Sequence, residues 1–315
     1  MNSKKFFRLY DAYGPVVIML VVFAIFAVTQ KSFLSAGNIM NVLRQVSIYG
    51  ICVTGVSFVM ISGGVDFSVG SQIALLGLIA ASLTNTFHVP VILAFAAAIV
   101  IAILIGLFNA GIASAFSLMP LVVTMCSMLI ISGLALIVTN GYAIYDMPES
   151  FLWIGQGRVF GIPVSIIVMF ICIFIGWFIL NRTYLGRNIY ALGGNEEAAR
   201  LAGIETKKLR MIVYAISGIF IAIDSLTLAA RTNNASATAG NNYQFDCLTA
   251  ACLGGIQLGG GNGNILKSFL GVLTIGILNN GLVLAGASTN WQTVLKGVLL
   301  LVAIILGAMS KKAAE

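Results

Sequence analysis

The stretch "ISGGVDFSVGSQIALL" (61–76) sets one carboxylate, Asp66, beside the hydroxyl of Ser68 and the amide of Gln72 in an otherwise apolar run. A second carboxylate, Asp224, lies inside the apolar stretch 209–230. A carboxylate in such surroundings needs hydrogen bonds before any other role. Asp66 can accept from the amides of Ser68 or Val69 and so cap the helix that follows. It can also line a polar route through apolar surroundings, and the two roles are compatible. Further neutral polar residues punctuate the apolar stretches at Ser57, Asn109, Thr124, Asn279 and Asn280. They offer donors and acceptors to a neutral, hydroxyl-rich solute of sugar size, or they bond helices to one another. An ionic solute would call for opposite charge or aligned helix ends along its route.

Bond-making chemistry finds no comparable support. The chain has no H-E-x-x-H, no G-x-S-x-G and no Cys/His ligand spacing. His88 stands alone beside Pro90 in a short connection, and the cysteines (Cys52, Cys126, Cys172, Cys247, Cys252) read as small apolar packing residues. The run "GGGNGNILKS" (259–268) approaches a phosphate-binding loop, but Leu266 stands where a glycine must precede the lysine. Its glycines fit a broken helix or close helix packing instead. No metal or cofactor is expected on this chain.

The elements that position these residues follow from composition. Of 315 residues 59% are hydrophobic and 9% charged, against the roughly 25% charge of a soluble domain. Stretches of about 20 apolar residues recur along the whole chain, enough for an all-α polytopic membrane protein. About ten spans are expected, near 15–30, 45–62, 70–87, 89–116, 120–139, 163–181, 209–230, 244–258, 268–285 and 291–309. The fourth is long for one helix, and Gly106, Asn109 and Gly111 are candidates to break it. The N-terminus reads as an uncleaved first span.

The formal charge is +7, but its basic residues are scattered among span ends, which excludes a nucleic-acid surface and suits topology signals. With the N-terminus inside, Lys31, Arg44, Arg158, Arg231 and Lys296 fall at outer ends. The other twelve of the 17, including Lys4, Lys5, Arg8, Lys311 and Lys312, fall inside, and both termini are cytoplasmic.

Two connections are more than turns. The external one, 140–162, carries aromatic residues suited to an interface or a docking surface. The cytoplasmic one, 182–208, contains a short helix: Asn195 as N-cap, Glu196 and Glu197 in the first turn, Ala198, Ala199, Arg200 and Leu201 following, and Gly203 to terminate it. A helix this short needs a packing partner.

Four ordered segments, "SGGVDFSVGS", "LGRNIYALGGNEEAARLAGI", "TAGNNYQFDCLTAACLGGIQLGGGNG" and "LNNGLVL", resemble the permease subunits of ribose-type carbohydrate ABC importers. The similarity runs from "SFLSAGNIMNVLRQ" to the C-terminus. It implies a type II ABC importer-like fold forming one transmembrane permease domain over 1–315 in the bacterial plasma (inner) membrane. It also implies a second permease copy, a sugar-binding protein outside, surrounding lipid, and an ATPase subunit that carries the ATP and Mg. The helix at 195–203 matches the family's coupling helix. Asp66, Ser68, Gln72, Asn109, Thr124, Asp246, Asn279 and Asn280 are the candidates for the pathway or its gate. Gln244 departs from the glutamate common in the family, Asp224 from the small residue usual there, and Lys267 from a frequent glycine. The sugar is thereby left open among ribose, other monosaccharides, polyols and autoinducer-2. A secondary transporter, the rival reading, would carry ion-coupling carboxylates and need no partner for 195–203. The segments "GGVDFSVG" and "GGIQLGGG" share a pattern that suggests an internal repeat, although an even number of crossings separates them.

Overall fold

The computed structural model describes the backbone of residues 3–314 and the side chains of 13–305 and 307–309, so the basic side chains of Lys4, Lys5, Arg8, Lys311 and Lys312 lie outside the described residues. The chain forms α1 (Ser3–Thr29), α2 (Ala36–Ile61), α3 (Val69–Asn85), α4 (Val91–Ala115) and α5 (Pro120–Thr139), then α6 (Glu149–Gln156) and α7 (Val164–Arg182). It continues with α8 (Tyr184–Gly194), α9 (Glu196–Leu201), α10 (Thr206–Thr232), α11 (Tyr243–Leu253), α12 (Ile265–Leu284) and α13 (Thr289–Ala314). Four two-residue strands make two small antiparallel ladders; one joins Ile144–Tyr145 to Asn234–Ala235.

Among the described residues, seven helices (α2, α4, α5, α7, α10, α12 and α13) are long and apolar enough to cross a membrane, and two shorter apolar helices run over Tyr13–Thr29 and Val69–Asn85. The expected span at 244–258 is different. α11 has 11 residues, about 16 Å of helix, roughly half of what a bilayer core requires. The chain reaches its start through the non-helical stretch 236–242, which follows the ladder strand at Asn234–Ala235.

α2 and α10 form the centre. α2 packs on α11 and α12, as α10 packs on α3 and α4. The breaks lie at 62–68, between α2 and α3, and at 233–242, between α10 and α11. Three Gly-Gly pairs converge at one junction. Gly63 ends α2, Gly193 ends α8, and Gly260–Gly261 lie in the connection before α12; the amide of Gly261 donates to the carbonyl of Ile61 at 2.8 Å. A Cβ at Gly193 would overlap that same carbonyl. The glycines that mimic a phosphate loop are used here for backbone contact.

α4 is continuous, against the break expected at Gly106–Gly111. Gly106 lies against the backbone of Tyr214, and a Cβ at Gly218 would come 2.5 Å from the carbonyl of Ala102. With Ala98, Ala102 and Ala110 buried, α4 shows α10 a small-residue face along which two backbones approach closely. Glycine here serves proximity, and the helix runs on.

The connection 140–162 folds as α6 at one end of the bundle. Its Phe151 meets the edge of Phe95 at 5.0 Å, and Gln156 donates to the carbonyl of Ala230 at 3.1 Å. The connection 182–208 forms α8 and α9 at the other end. The expectation of one short helix there missed α8, which the hydroxyl of Thr183 caps by accepting from the amide of Gly186 at 3.2 Å.

Two neighbouring glycines separate contact from flexibility. Gly193→Ala should lower the yield of folded protein and the unfolding midpoint, because overpacking against backbone costs about 1–3 kcal/mol or more. Gly194→Ala, where a Cβ meets nothing within 4 Å, should be silent. Equal behaviour of the two variants in a thermal melt would refute the junction as described.

Candidate translocation site

α3 begins inside the bundle, so its first amides need partners that bulk water cannot supply. Asp66, 3% exposed, supplies one at the residue just before the helix: its Oδ1 accepts from the amide of Ser68 at 2.8 Å and from the Ser68 hydroxyl at 2.5 Å. The amide is one of the two expected for a cap. The bond closes the turn just before the helix, since the capping position itself belongs to Ser68. One turn into α3, Gln72 Nε2 donates to Ser68 Oγ at 2.8 Å and to Asp66 Oδ2 at 3.4 Å.

Two more helices close the network. Asn109 of α4 donates through Nδ2 to Ser68 Oγ at 3.1 Å, and its Oδ1 accepts from Ser127 of α5 at 2.5 Å. Thr124 of α5 holds the turn by its backbone, donating to the carbonyl of Val65 at 3.2 Å and accepting from the amide of Phe67 at 3.1 Å. Asp66, Ser68, Gln72, Asn109 and Thr124 therefore meet in one buried site. Every donor to Asp66 is uncharged. Ser127 was missed, although a hydroxyl one turn beyond Thr124 was a readable signal.

Asp246 belongs to an adjoining cluster. It lies in the first turn of α11, where its Oδ2 accepts from the Tyr49 hydroxyl at 3.0 Å and from Lys296 Nζ at 2.8 Å. Tyr49 in turn stacks on Tyr243, ring centroids 4.8 Å apart. Lys296, read from sequence as a mark of an outer span end, is the partner of a carboxylate that is 4% exposed. The two clusters abut where Gly240 lies against the backbone of Gly70, and a Cβ at Gly70 would also come 2.5 Å from Gln244 Oε1.

Asn279 and Asn280 do not join either cluster through a described hydrogen bond. Asn280 exchanges two amide hydrogen bonds with Asn38, at 2.8 and 2.9 Å, tying α12 to α2. Asn279 is buried and its Oδ1 has no partner among the described residues. Asp224 is fully buried in α10, and neither of its oxygens has a described partner.

α9 has the local structure that its sequence implies. Asn195 Oδ1 accepts from the amide of Ala198 at 2.9 Å, and Gly203 takes a left-handed conformation, φ 86°. Ala199 faces inward, 4% exposed, while Glu196, Glu197, Ala198 and Arg200 are exposed, as is Leu201 at 79%. The surface available to a partner is therefore that of Ala198 and Leu201. Ala199 packs against its own chain.

Helices that break within an apolar bundle around a neutral polar lining define a multi-pass membrane permease. The chain belongs to the family described as "Branched-chain amino acid transport system / permease component", whose model matches residues 38–304. It is 36% identical over 294 residues to the ribose import permease protein RbsC of Escherichia coli (strain K12), covering 92% of this chain and 91% of that one. Identity to RbsC of Bacillus subtilis (strain 168) is 37% over 303 residues, covering 93% and 91%. Identity to the L-arabinose transport system permease protein AraH of Escherichia coli (strain K12) is 33% over 315 residues, covering 99% and 95%. No solved structure matches the chain.

Two of the buried carboxylates, Asp66 and Asp224, should answer substitution in opposite ways. Asp66→Asn keeps an acceptor for Ser68, and the unpartnered Gln72 Oε1 can turn to accept from the new amide, so the loss should stay below about 1 kcal/mol. Asp66→Leu leaves the Ser68 donors buried and unpaired and should cost about 2–4 kcal/mol. Asp224→Ala removes an unpartnered buried group and should raise the midpoint by about 1–3 kcal/mol equivalent. Thermal melts of the purified variants check all three, and a lowered midpoint for Asp224→Ala would show that its carboxylate is paired.

Proposed function

We propose that this chain is the membrane-spanning permease of an ATP-driven sugar importer of the bacterial plasma membrane, with ribose or a related monosaccharide as cargo. The observation that carries the reading is α9: a capped helix anchored by one buried alanine that presents exposed Ala198 and Leu201 beyond the bundle. A six-residue helix is too short to be held by its own hydrogen bonds, and a partner groove gives that exposed apolar surface a place to bury. The partner is the ATPase subunit, which holds the ATP and Mg. α9 then marks the cytoplasmic face, with both termini on that side, and α6 marks the external face.

The cargo follows from the lining. Neutral donors and acceptors around Asp66 suit hydroxyls, and its charge is spent on closing the α3 turn. The relatives named for ribose and L-arabinose transport point to pentoses, which agrees with that chemistry. A binding protein delivers the sugar to the α6 face, where Tyr142, Trp153 and Phe160 are exposed. A second permease copy and lipid cover the exposed apolar faces of α5 and α13.

Reconstitution tests the proposal. Vesicles holding this chain, its ATPase and its binding protein should accumulate ribose or a related sugar only with ATP, and vesicles with this chain alone should not. Uphill uptake by the chain alone, or a binding protein that takes amino acids and no sugar or polyol, would overturn it. Ala198→Arg and Leu201→Asp should weaken ATPase binding roughly 25-fold, as loss of a contact of about 2 kcal/mol requires, while the permease stays folded. Ala199→Arg should reduce folded yield instead. Normal coupling in both α9 surface variants would remove α9 as the docking element.

A further inference from the structure

Beside α9, at the end of the bundle where α4 stops and α5 starts, lies a cavity of about 460 Å³. Its walls come from Gly63 just past α2, the end of α4, the α4–α5 connection, the start of α5, α9 and the first turn of α10. Three features give it one chemical character. The first is the start of α10: Glu205 makes no side-chain cap there, so the first amides of a 27-residue helix have no side-chain acceptor, and the positive end of its dipole faces the cavity. The second is Ser114, only 7% exposed, which lines the cavity and whose hydroxyl has no hydrogen-bonding partner among the described residues.

The third is the charge balance. Glu196 and Glu197 line the cavity too, but Arg210 holds the first and Arg200 the second, each at 2.6 Å. Lys207 is left without an ion pair among the described residues. An uncapped helix start, an orphan hydroxyl and a free ammonium all lack an anion with several acceptor oxygens.

The surroundings say where that anion comes from. Phe116 and Met119, both strongly exposed, flank the cavity, and Phe108 of α4 and Val122 of α5 continue the exposed apolar surface along the spans. A polar cavity at the helix ends above an apolar track has the form of a headgroup with its chains. We propose that this cavity binds a phosphate group, held by Lys207, Ser114 and the first amides of α10, and that its source is an anionic membrane phospholipid.

The test uses the full-length permease, stripped of lipid in detergent and titrated separately with phosphatidylglycerol, phosphatidylcholine and inorganic phosphate. Thermal midpoint and native mass spectrometry are the readouts. Phosphatidylglycerol should be retained and should raise the midpoint, phosphatidylcholine should do neither, and Lys207→Gln and Ser114→Ala should each weaken retention about tenfold. The lipid-free midpoints of the two variants, compared with the parent chain, separate loss of the ligand from loss of the fold. Protection by inorganic phosphate, sensitive to the same two substitutions and without lipid retention, would keep the phosphate site and assign it a soluble ligand. Absence of both effects, or retention unchanged in both variants, would overturn the proposal.

Discussion

Two helices of this protein start within the bundle, and their starting backbones touch. Gly240 lies against Gly70, which places the chain entering α11 against the first turn of α3. Inside an apolar medium every free amide must find a partner within the protein. That constraint explains the residues gathered at this point better than any catalytic role would. Asp66 closes the turn into α3, Thr124 holds the backbone of the same turn, and Gln72 and Asn109 supply the donors that the Ser68 hydroxyl accepts. On the other side Asp246, in the first turn of α11, is held by Tyr49 and Lys296. Broken helices and carboxylates held either by hydrogen bonds, as Asp66 is, or by an ion pair, as Asp246 is, are consequences of a single arrangement.

The same constraint separates the two carboxylates that stood out in the sequence. Asp66 and Asp224 occupy similar apolar contexts in the linear chain. In the structure one is bonded by three donors and the other by none among the described residues. Position relative to a helix start makes the difference. Asp66 precedes α3 by three residues, where amides are free, whereas Asp224 sits deep within α10, where every amide already has its acceptor four residues back.

Much of this was legible in advance. Apolar runs located the long helices, α5 to the residue, and the capping signals of 195–203 located α9, because both depend on local periodicity and local hydrogen bonds. The meeting of Asp66, Ser68 and Gln72 was readable too, since they lie within two turns. Pairings across the chain were not. Lys296 and Asp246 are fifty residues apart, and Asn38 and Asn280 are 242 apart; no spacing rule joins such residues. Composition also misread glycine. In α4 it suggested a break, where it permits α10 to come close, and in α11 hydrophobicity suggested a full span, where a half-length helix enters by an irregular stretch. Glycine reports that a backbone must bend or be approached, and only the neighbour decides which.

The junction of Gly63, Gly193 and Gly261 extends that argument from folding to mechanics. Side chains between helices act as compliant spacers, since they can change rotamer as the helices shift. Here no side chain intervenes: the end of α2 bonds directly to the backbone of Gly261, and Gly193 lies against both. α9 starts three residues after Gly193, and Asp66 lies three residues after Gly63. A displacement of α9 therefore reaches the end of α2 through two short backbone segments and one rigid contact. The turn that Asp66 closes is the next element along that chain. It is held to α4 through Ser68 and to α5 through Thr124, so any movement at the junction must either carry the ends of α4 and α5 with it or break those hydrogen bonds. The polar network that closes the start of α3 is thus also the place where motion from the α9 end of the bundle meets the candidate route.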